Sequence, residues 1–200
     1  DAASRDASLY RVVPSVVVHP MDVPDIERLV QYVSAEKQKG TDVSLTARAA
    51  GTDMSGGPLT HSIVVSMTKH FNHIIGVGDS YAVVEPGVYF RDFDTETKKK
   101  NLELPSYTAS RELCTVGGMV ANNSGGEKNL KFGKTARYVE ELDVVMADGK
   151  VHTLKNLEGA AFEHKLVETG FEGDVYRAVS RILQKDKAII DAHAPSVGKN

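Results

Sequence analysis

The first part of the chain alternates short apolar runs with an amphipathic segment, in an order typical of a parallel sheet. Val16–Val18 is a β-branched apolar run bounded by two prolines, which indicates a buried strand. Apolar residues then recur at spacings of three and four between residues 26 and 33, as on one face of a helix. Residues 43–47 and 63–65 indicate two further strands. The order strand, helix, strand, loop, strand predicts a small α/β lobe with parallel pairing.

Capping residues mark both ends of the predicted helix. Asp22 stands where an N-cap side chain is needed, and Pro24 is compatible with the first helical turn. Gly40 suits the left-handed position that follows a helix. We therefore expect the helix to begin next to Asp22 and to end before Gly40.

The pattern changes after about residue 71, where short strands flank turn residues. Residues 74–77 and 81–84 enclose a Gly-Asp-Ser turn. Residues 142–146 and 151–154 enclose a turn that contains Asp-Gly. Both pairs predict antiparallel hairpins.

Two helices are predicted in this second part of the chain. Residues 90–100 are polar and are followed by Asn101, while apolar residues between 175 and 183 mark an amphipathic helix. We therefore predict an α+β fold of two lobes. A small parallel-sheet lobe takes residues 1–73, and a mainly antiparallel lobe takes residues 74–200.

Composition narrows the class of protein. The 200 residues carry 24 Lys and Arg against 27 Asp and Glu, a net charge of −3, which argues against nucleic-acid binding by bulk charge. No apolar run approaches the length of a membrane span, and the single cysteine, Cys114, excludes an internal disulfide and a cysteine zinc site. We expect a soluble, intracellular protein without a nucleic-acid partner. Because the chain starts at Asp1 without Met and stops at residues 198–200 without a terminal signature, we expect a part of a longer protein.

A glycine-rich loop follows the second predicted strand, with the sequence RAAGTDMSGG at residues 48–57. Consecutive small and hydroxyl residues let several backbone N–H groups point toward one place, and glycines allow a phosphate to come close to the main chain. The loop therefore predicts an anion site, although an ordinary surface loop explains this segment equally well on its own.

A second segment rich in small residues spans Thr115 to Gly126 and contains four glycines and two asparagines. Such a composition excludes a core strand and makes a poor helix interior. It suits a flat or bulky ligand lying against the backbone, with asparagine amides as donors and acceptors. The alternative is a tight turn between lobes. Two such segments about sixty residues apart favour one shared ligand.

Three other sequence patterns lack a residue that their function requires. The FGKT sequence lacks the P-loop glycine, because Lys128 stands there, and GVG lacks the third Rossmann glycine, because Tyr81 stands there. His70 and His73 have no carboxylate placed to complete a metal site, so we expect no metal. Cys114 is interpreted as a small buried residue rather than a nucleophile.

At these two segments the chain resembles the FAD-linked oxidase family, the vanillyl-alcohol oxidase or PCMH type of flavoprotein. RAAGTDMSGGP is similar to the family's RGxGTSxSG pyrophosphate loop, and CTVGGMVANNSGG is similar to its second flavin-binding block. VVEPGV and LELPSYTAS lie between them in the family's order. The resemblance runs from about Val16 to the last residue. The bacterial D-lactate dehydrogenase-like and 2-hydroxyglutarate dehydrogenase-like members are the most similar in sequence texture.

The resemblance implies a PCMH-type FAD-binding domain with the cofactor between its two lobes. No histidine lies between Arg48 and Pro58, so non-covalent FAD is expected. Ala49 and Asp53 depart from the family's glycine and serine, and a carboxylate near a pyrophosphate is repulsive unless it points away. The residues implied in FAD binding are Ala49, Ala50, Gly51, Thr52, Asp53, Met54, Ser55, Gly56, Pro105, Ser110, Thr115, Gly117, Gly118, Asn122 and Gly125.

The resemblance also implies a reaction: an FAD-dependent dehydrogenase or oxidase that takes a hydride from a 2-hydroxy acid such as D-lactate. The substrate would bind through a cap domain absent from this chain, so we expect the chain alone to be inactive. An electron acceptor is a further expected partner. The expected location is cytoplasmic, with peripheral inner-membrane contact possible in a longer protein. Two alternatives stay open, a non-catalytic nucleotide-binding module and a degenerate lobe that no longer binds FAD, the latter suggested by Ala49 and Asp53.

Overall fold

A computed structural model describes residues 2–194 of the chain. These residues form two compact units, the first ending at Val139 and the second beginning at Glu140. The lobe boundary between residues 73 and 74 is a different division and stays a prediction. The sequence at residues 198–200 lies outside the described residues. Within residues 2–194, no helix has both the length and the apolar character needed to cross a bilayer.

A three-stranded parallel sheet and one helix come first in the chain. The elements are β1 (Val16–Val18), α1 (Val23–Gln38), β2 (Leu45–Arg48) and β3 (Ile63–Ser66). Strand β3 lies between β1 and β2, and Ile63 is in register with both Val16 and Leu45. Val64 at the centre of β3 is fully buried. The predicted parallel sheet is confirmed, although β2 begins at Leu45, two positions after the predicted start.

The ends of α1 follow the predicted chemistry. The Asp22 side chain accepts a hydrogen bond of 2.9 Å from the backbone N–H of Asp25, and Pro24 lies in the first turn. Gly40 follows the last turn with a φ of +85°, a conformation that favours glycine. Both predicted helix boundaries are confirmed.

The rest of the first unit combines a hairpin, three helices and loops. Its elements are β4 (Ile74–Val77), β5 (Ala82–Val84), α2 (Phe90–Lys98), α3 (Val116–Ala121) and α4 (Asn129–Phe132). Strands β4 and β5 pair antiparallel, as predicted, and Asn101 follows α2 with a φ of +56°. The buried core consists of Val88, Phe90, Phe93, Tyr107, Cys114 and Met119. Cys114 is therefore buried, as the sequence predicts.

Helix α3 corrects one prediction. We expected residues 115–126 to make a poor helix interior, and this is wrong for Val116–Ala121, which are helical. Thr115 caps the helix, since its Oγ1 accepts a hydrogen bond of 3.2 Å from the N–H of Gly118. The N–H of Gly117 donates to the carbonyl oxygen of Pro86 at 3.0 Å, and a Cβ there would lie 2.4 Å from the Pro86 side chain. This close packing outweighs the low helix propensity of glycine.

The second unit consists of a hairpin and three helices. Its elements are β6 (Glu141–Val145), β7 (Val151–Lys155), α5 (Ala160–Val167), α6 (Phe171–Lys185) and α7 (Lys187–His193). Strands β6 and β7 pair antiparallel, and Gly149 in their turn has a φ of +71°. The predicted hairpin and the predicted amphipathic helix, α6, are both confirmed.

Candidate functional site

The two glycine-rich segments meet in the folded chain. A Cβ built on Gly118 in α3 would lie 3.5 Å from the Cβ of Ala49, at the start of the loop after β2. An isolated antiparallel bridge between Tyr89 and Thr115 holds α3 next to the start of α2. The segments predicted to share a ligand are therefore close enough that a single added methyl group would bring them into van der Waals contact.

The loop after β2 offers a row of unengaged backbone donors. Within residues 2–194, the N–H groups of Ala50, Gly51 and Thr52 have no hydrogen-bond acceptor. Gly51 has a φ of +72°, and a Cβ on it would lie 2.3 Å from the guanidinium of Arg48. Glycine is required here for two reasons, its left-handed backbone and the cation packed against it.

Arg48 fastens the beginning of the chain to this loop. Its Nη2 donates to the carbonyl oxygens of Ala2 at 3.2 Å and Arg5 at 2.7 Å. Its Nη1 is buried without an acceptor among the described residues. Burial lowers the pKa of Arg48, and the negative charge of Asp6 opposes that shift. Because an arginine side chain stays protonated in proteins, Arg48 places a positive charge directly against Gly51.

Asp53 turns its carboxylate onto its own loop. Its Oδ2 accepts hydrogen bonds from the Ser55 hydroxyl at 2.7 Å, the Ser55 N–H at 3.0 Å and the Gly57 N–H at 2.8 Å. The hydrogen bond from the Ser55 hydroxyl, followed by that from Gly57, lowers the pKa of Asp53 against the opposing effect of burial. The carboxylate thus accepts from the N–H groups of Ser55 and Gly57, while the N–H groups of residues 50–52 stay available.

Two cavities adjoin residues 49–52. The first has a volume of about 530 Å³ and lies where β1, β2 and β3 end, between Ser66, His19 and the loop. The second has a volume of about 440 Å³. Its lining consists of Arg5, Asp6, Ala7, Ala50, Gly51, Thr52, Tyr89, Arg91 and Leu113. Ala50 and Tyr89 line both cavities.

Four of the predicted site residues line these cavities, namely Ala49, Ala50, Gly51 and Thr52. Several others build the site without lining it. Thr115 caps α3, Gly117 packs on Pro86, and Gly118 lies close to Ala49.

The remaining predicted residues do not line either cavity. Met54 is 80% exposed, and Gly56 donates its N–H to the Asp6 carboxylate at 3.0 Å. The Ser110 hydroxyl is within 2.9 Å of the Thr108 hydroxyl. The structure places the others as follows: Pro105 is in a turn, Asn122 is exposed at the end of α3, and Gly125 is beside Asn129.

Sequence reasoning missed six residues that line the second cavity, namely Arg5, Asp6, Ala7, Tyr89, Arg91 and Leu113. Arg91 lies over the Tyr89 ring, 4.4 Å from its centroid, and donates to the carbonyl oxygen of Glu112. Neither arginine belongs to a recognisable motif. Both reach the loop through contacts between residues distant in sequence, which a local pattern does not reveal. Among the residues that the structure describes, no group of three or more His, Cys, Asp or Glu side chains could hold a metal.

These features suit a dinucleotide. The free N–H groups at residues 50–52 and the cation of Arg48 match a diphosphate, which needs close backbone approach and donors. The two cavities beside this loop, of about 530 and 440 Å³, give room for the bulky groups that a dinucleotide carries. The residues present therefore fit FAD.

Comparison with known proteins agrees with this fit. Residues 14–155 match the family described as "FAD binding domain". The chain is 29% identical to D-2-hydroxyglutarate dehydrogenase of Pseudomonas putida over 98% of its length, which is 20% of that protein. It is 31% identical to D-lactate dehydrogenase of Archaeoglobus fulgidus, with 79% of the chain and 35% of that protein covered. It is 32% identical to glycolate oxidase subunit GlcD of Bacillus subtilis, with 71% and 30% covered.

The fold also has a solved counterpart. An alkyldihydroxyacetonephosphate synthase superposes with a TM-score of 0.64 at 21% identity, over 81% of this chain and 32% of that one. This likeness confirms the predicted α+β fold of the PCMH type. The chain spans about a fifth to a third of the length of the three relatives. It belongs to the FAD binding domain family of the FAD-linked oxidases, and its cofactor is FAD.

Proposed function

We propose that this chain is the cofactor-binding part of an enzyme that oxidises a 2-hydroxy acid. The names of three relatives support this class of substrate, because D-2-hydroxyglutarate, D-lactate and glycolate are all 2-hydroxy acids. The observation that carries the cofactor-binding part of the proposal is the close approach of Gly118 to Ala49, which brings both glycine-rich segments together beside unengaged donors.

In this proposal the loop binds the diphosphate of FAD. The N–H groups of Ala50, Gly51 and Thr52 donate to it, and Arg48 holds the loop in shape from below. Helix α3 lies close behind the loop, because Gly118 leaves no side chain between the helix backbone and Ala49. The helix therefore bounds the space that the cofactor can occupy. The other predicted residues, from Pro105 to Gly125, line the path beyond the diphosphate. Attachment is non-covalent.

Bound FAD supplies a hydride acceptor, and the organic chemistry belongs to the cofactor. The residues of this chain bind and orient it. The 2-hydroxy acid and the electron acceptor reach the flavin through parts of a longer enzyme. This is supported by relatives three to five times as long as the matched region, and the chain alone is then inactive.

Two other functions compete with this proposal. A nucleotide-binding module without catalysis would use the same donors. A degenerate lobe would have lost FAD because of Asp53, but the inward orientation of that carboxylate weighs against repulsion as a cause.

The test is turnover by the longest polypeptide that contains this chain. Reduction of a dye should accompany oxidation of D-lactate, D-2-hydroxyglutarate or glycolate, and enantiomers of the chiral acids serve as controls. FAD binding without oxidation of any 2-hydroxy acid would favour the nucleotide-binding module. The cytoplasmic location stays a prediction that cell fractionation tests.

A further inference from the structure

The beginning of the chain is fastened to the cofactor loop, although it precedes the residues that match the family. The family match starts at residue 14. Before it, the carbonyl oxygens of Ala2 and Arg5 accept hydrogen bonds from Arg48. The N–H of Ala7 donates to the carbonyl oxygen of Asp53 at 3.0 Å. Residues 2–7 therefore form an outer wall of the loop.

Arg5 has an exposed and uncommitted side chain on this wall. Its guanidinium has no hydrogen bond or ion pair within residues 2–194, and it lines the 440 Å³ cavity. Arg91 lines the same cavity. Its Nη1 donates to the Glu112 carbonyl and its Nε lies 3.8 Å from the Asp92 carboxylate, which leaves Nη2 for a ligand. Ala50, Gly51 and Thr52, whose N–H groups are unengaged within residues 2–194, line the same cavity as these two cations.

One carboxylate also lines the cavity, that of Asp6. Its Oδ1 accepts from the Ser8 N–H at 2.9 Å, and its Oδ2 accepts from the Gly56 N–H at 3.0 Å. Both oxygens are thus engaged by backbone donors. Two guanidinium groups and three unengaged N–H groups outweigh this single charge, so the cavity favours an anion.

We propose that Arg5, together with Arg91, binds the diphosphate of FAD in this cavity. The proposal rests on the proposed FAD binding and extends the site to a segment outside the family match. Planar guanidinium groups can form two parallel hydrogen bonds to phosphate oxygens, which suits a diphosphate carrying two negative charges. Arg5 supplies binding energy, while residues 2–7 hold it beside the loop.

The experiment is an FAD titration of the 200-residue chain, followed by flavin fluorescence at low and high salt. The variants are Arg5→Gln, Arg5→Lys and Arg91→Gln. Arg28→Gln is the matched control, because Arg28 is exposed on α1 and pairs with Asp25 away from both cavities. Arg5→Gln should raise the Kd for FAD roughly tenfold at low salt, because a charge-assisted bond to phosphate is lost.

Further expected results separate the effect of the Arg5 charge from the effect of the planar shape of its guanidinium. Arg5→Lys should keep part of the affinity, Arg28→Gln should match the wild type, and high salt should narrow the gap between wild type and Arg5→Gln. Wild-type binding with an unchanged Kd in Arg5→Gln overturns the role of Arg5 alone. Absence of saturable binding by the wild type overturns both this inference and the proposed FAD binding.

Discussion

Gly118 lies against Ala49, so that a Cβ added to the glycine would be 3.5 Å from the alanine Cβ. The same atom would be 3.3 Å from Oγ1 of Thr115, which caps α3. This contact joins a loop after a parallel strand to a helix about sixty residues later in the chain. It brings together two glycine-rich segments, neither of which indicates a particular ligand by its sequence alone.

A larger side chain at this contact should damage the site. Gly118→Val adds a Cβ that already reaches 3.3 Å from Oγ1 of Thr115 and 3.5 Å from the Cβ of Ala49, and its two further methyl groups should push against the loop that carries the free N–H groups. We expect FAD affinity to fall roughly tenfold, since overpacking of this kind costs about 1–3 kcal/mol. A titration followed by flavin fluorescence measures the FAD affinity of the variant. Gly76→Val is the control, because nothing lies within 4 Å of a Cβ at Gly76. Equal loss in both variants would contradict the local explanation.

Asp53 should support the loop and should not repel the cofactor. Asp53→Ser replaces the charged carboxylate that accepts from the N–H groups of Ser55 and Gly57 with a shorter, neutral hydroxyl, so we expect FAD affinity to fall roughly threefold to tenfold. Asp53→Asn keeps one acceptor oxygen and should lose less. A large gain in affinity in Asp53→Ser would show that the carboxylate repels FAD.

The lowered pKa of Asp53 also has a consequence for stability. A carboxyl whose pKa is lower in the folded state stabilises that state above its unfolded pKa. This stabilisation should disappear as pH falls through the folded pKa, below about pH 4. Urea unfolding of the wild type and Asp53→Asn at several pH values tests this, and parallel curves for the two would contradict it.

Much of the fold could be predicted because its signals are local. Apolar β-branched runs gave the strands, and the capping chemistry of Asp22 and Gly40 gave the limits of α1. The glycine-rich loop with its exposed backbone donors could be predicted from residue type, because glycines allow the backbone to present its N–H groups, while its role as an anion site stays a prediction.

The rest of the site depends on contacts between distant residues. Tyr89 reaches the site through its bridge to Thr115, and Arg5 reaches it through the hydrogen bond to Arg48. No local pattern specifies either contact. Helix α3 was missed for a related reason, since the packing of Gly117 on Pro86 decides its conformation.

Gly117 should be a strict requirement of the fold. A Cβ at this position would lie 2.4 Å from the Cβ and 2.6 Å from the carbonyl oxygen of Pro86. We expect Gly117→Ala to lower the free energy of unfolding by about 1–3 kcal/mol, because the backbone must move. Denaturant unfolding measures this, with Gly76→Ala as control. An unchanged midpoint in Gly117→Ala would refute the contact.

The second unit should respond to pH through His152. Its Nε2 lies 2.9 Å from Asp148 and its Nδ1 lies 3.3 Å from Glu172. The hydrogen bond with Asp148 raises the pKa of His152, burial opposes the shift, and Glu172 adds to it. Protonated His152 therefore stabilises the hairpin against α6 below its unfolded pKa, and this contribution is lost as pH rises through the folded pKa.

Replacing His152 should remove this dependence on pH. His152→Gln should unfold at lower denaturant than the wild type near pH 6, and the gap should narrow toward pH 9. His164→Gln is the control, because His164 is exposed on α5. A gap that widens with rising pH would contradict the assignment of His152 as the protonated partner.

The central claim is that both glycine-rich segments form one site for FAD. The most direct measurement is a titration of the 200-residue chain with FAD, following flavin fluorescence and visible absorption, with ADP as competitor. We predict saturable binding of one FAD per chain, a perturbed flavin spectrum and displacement by ADP. Binding that does not saturate, with an unperturbed flavin spectrum, would contradict the account.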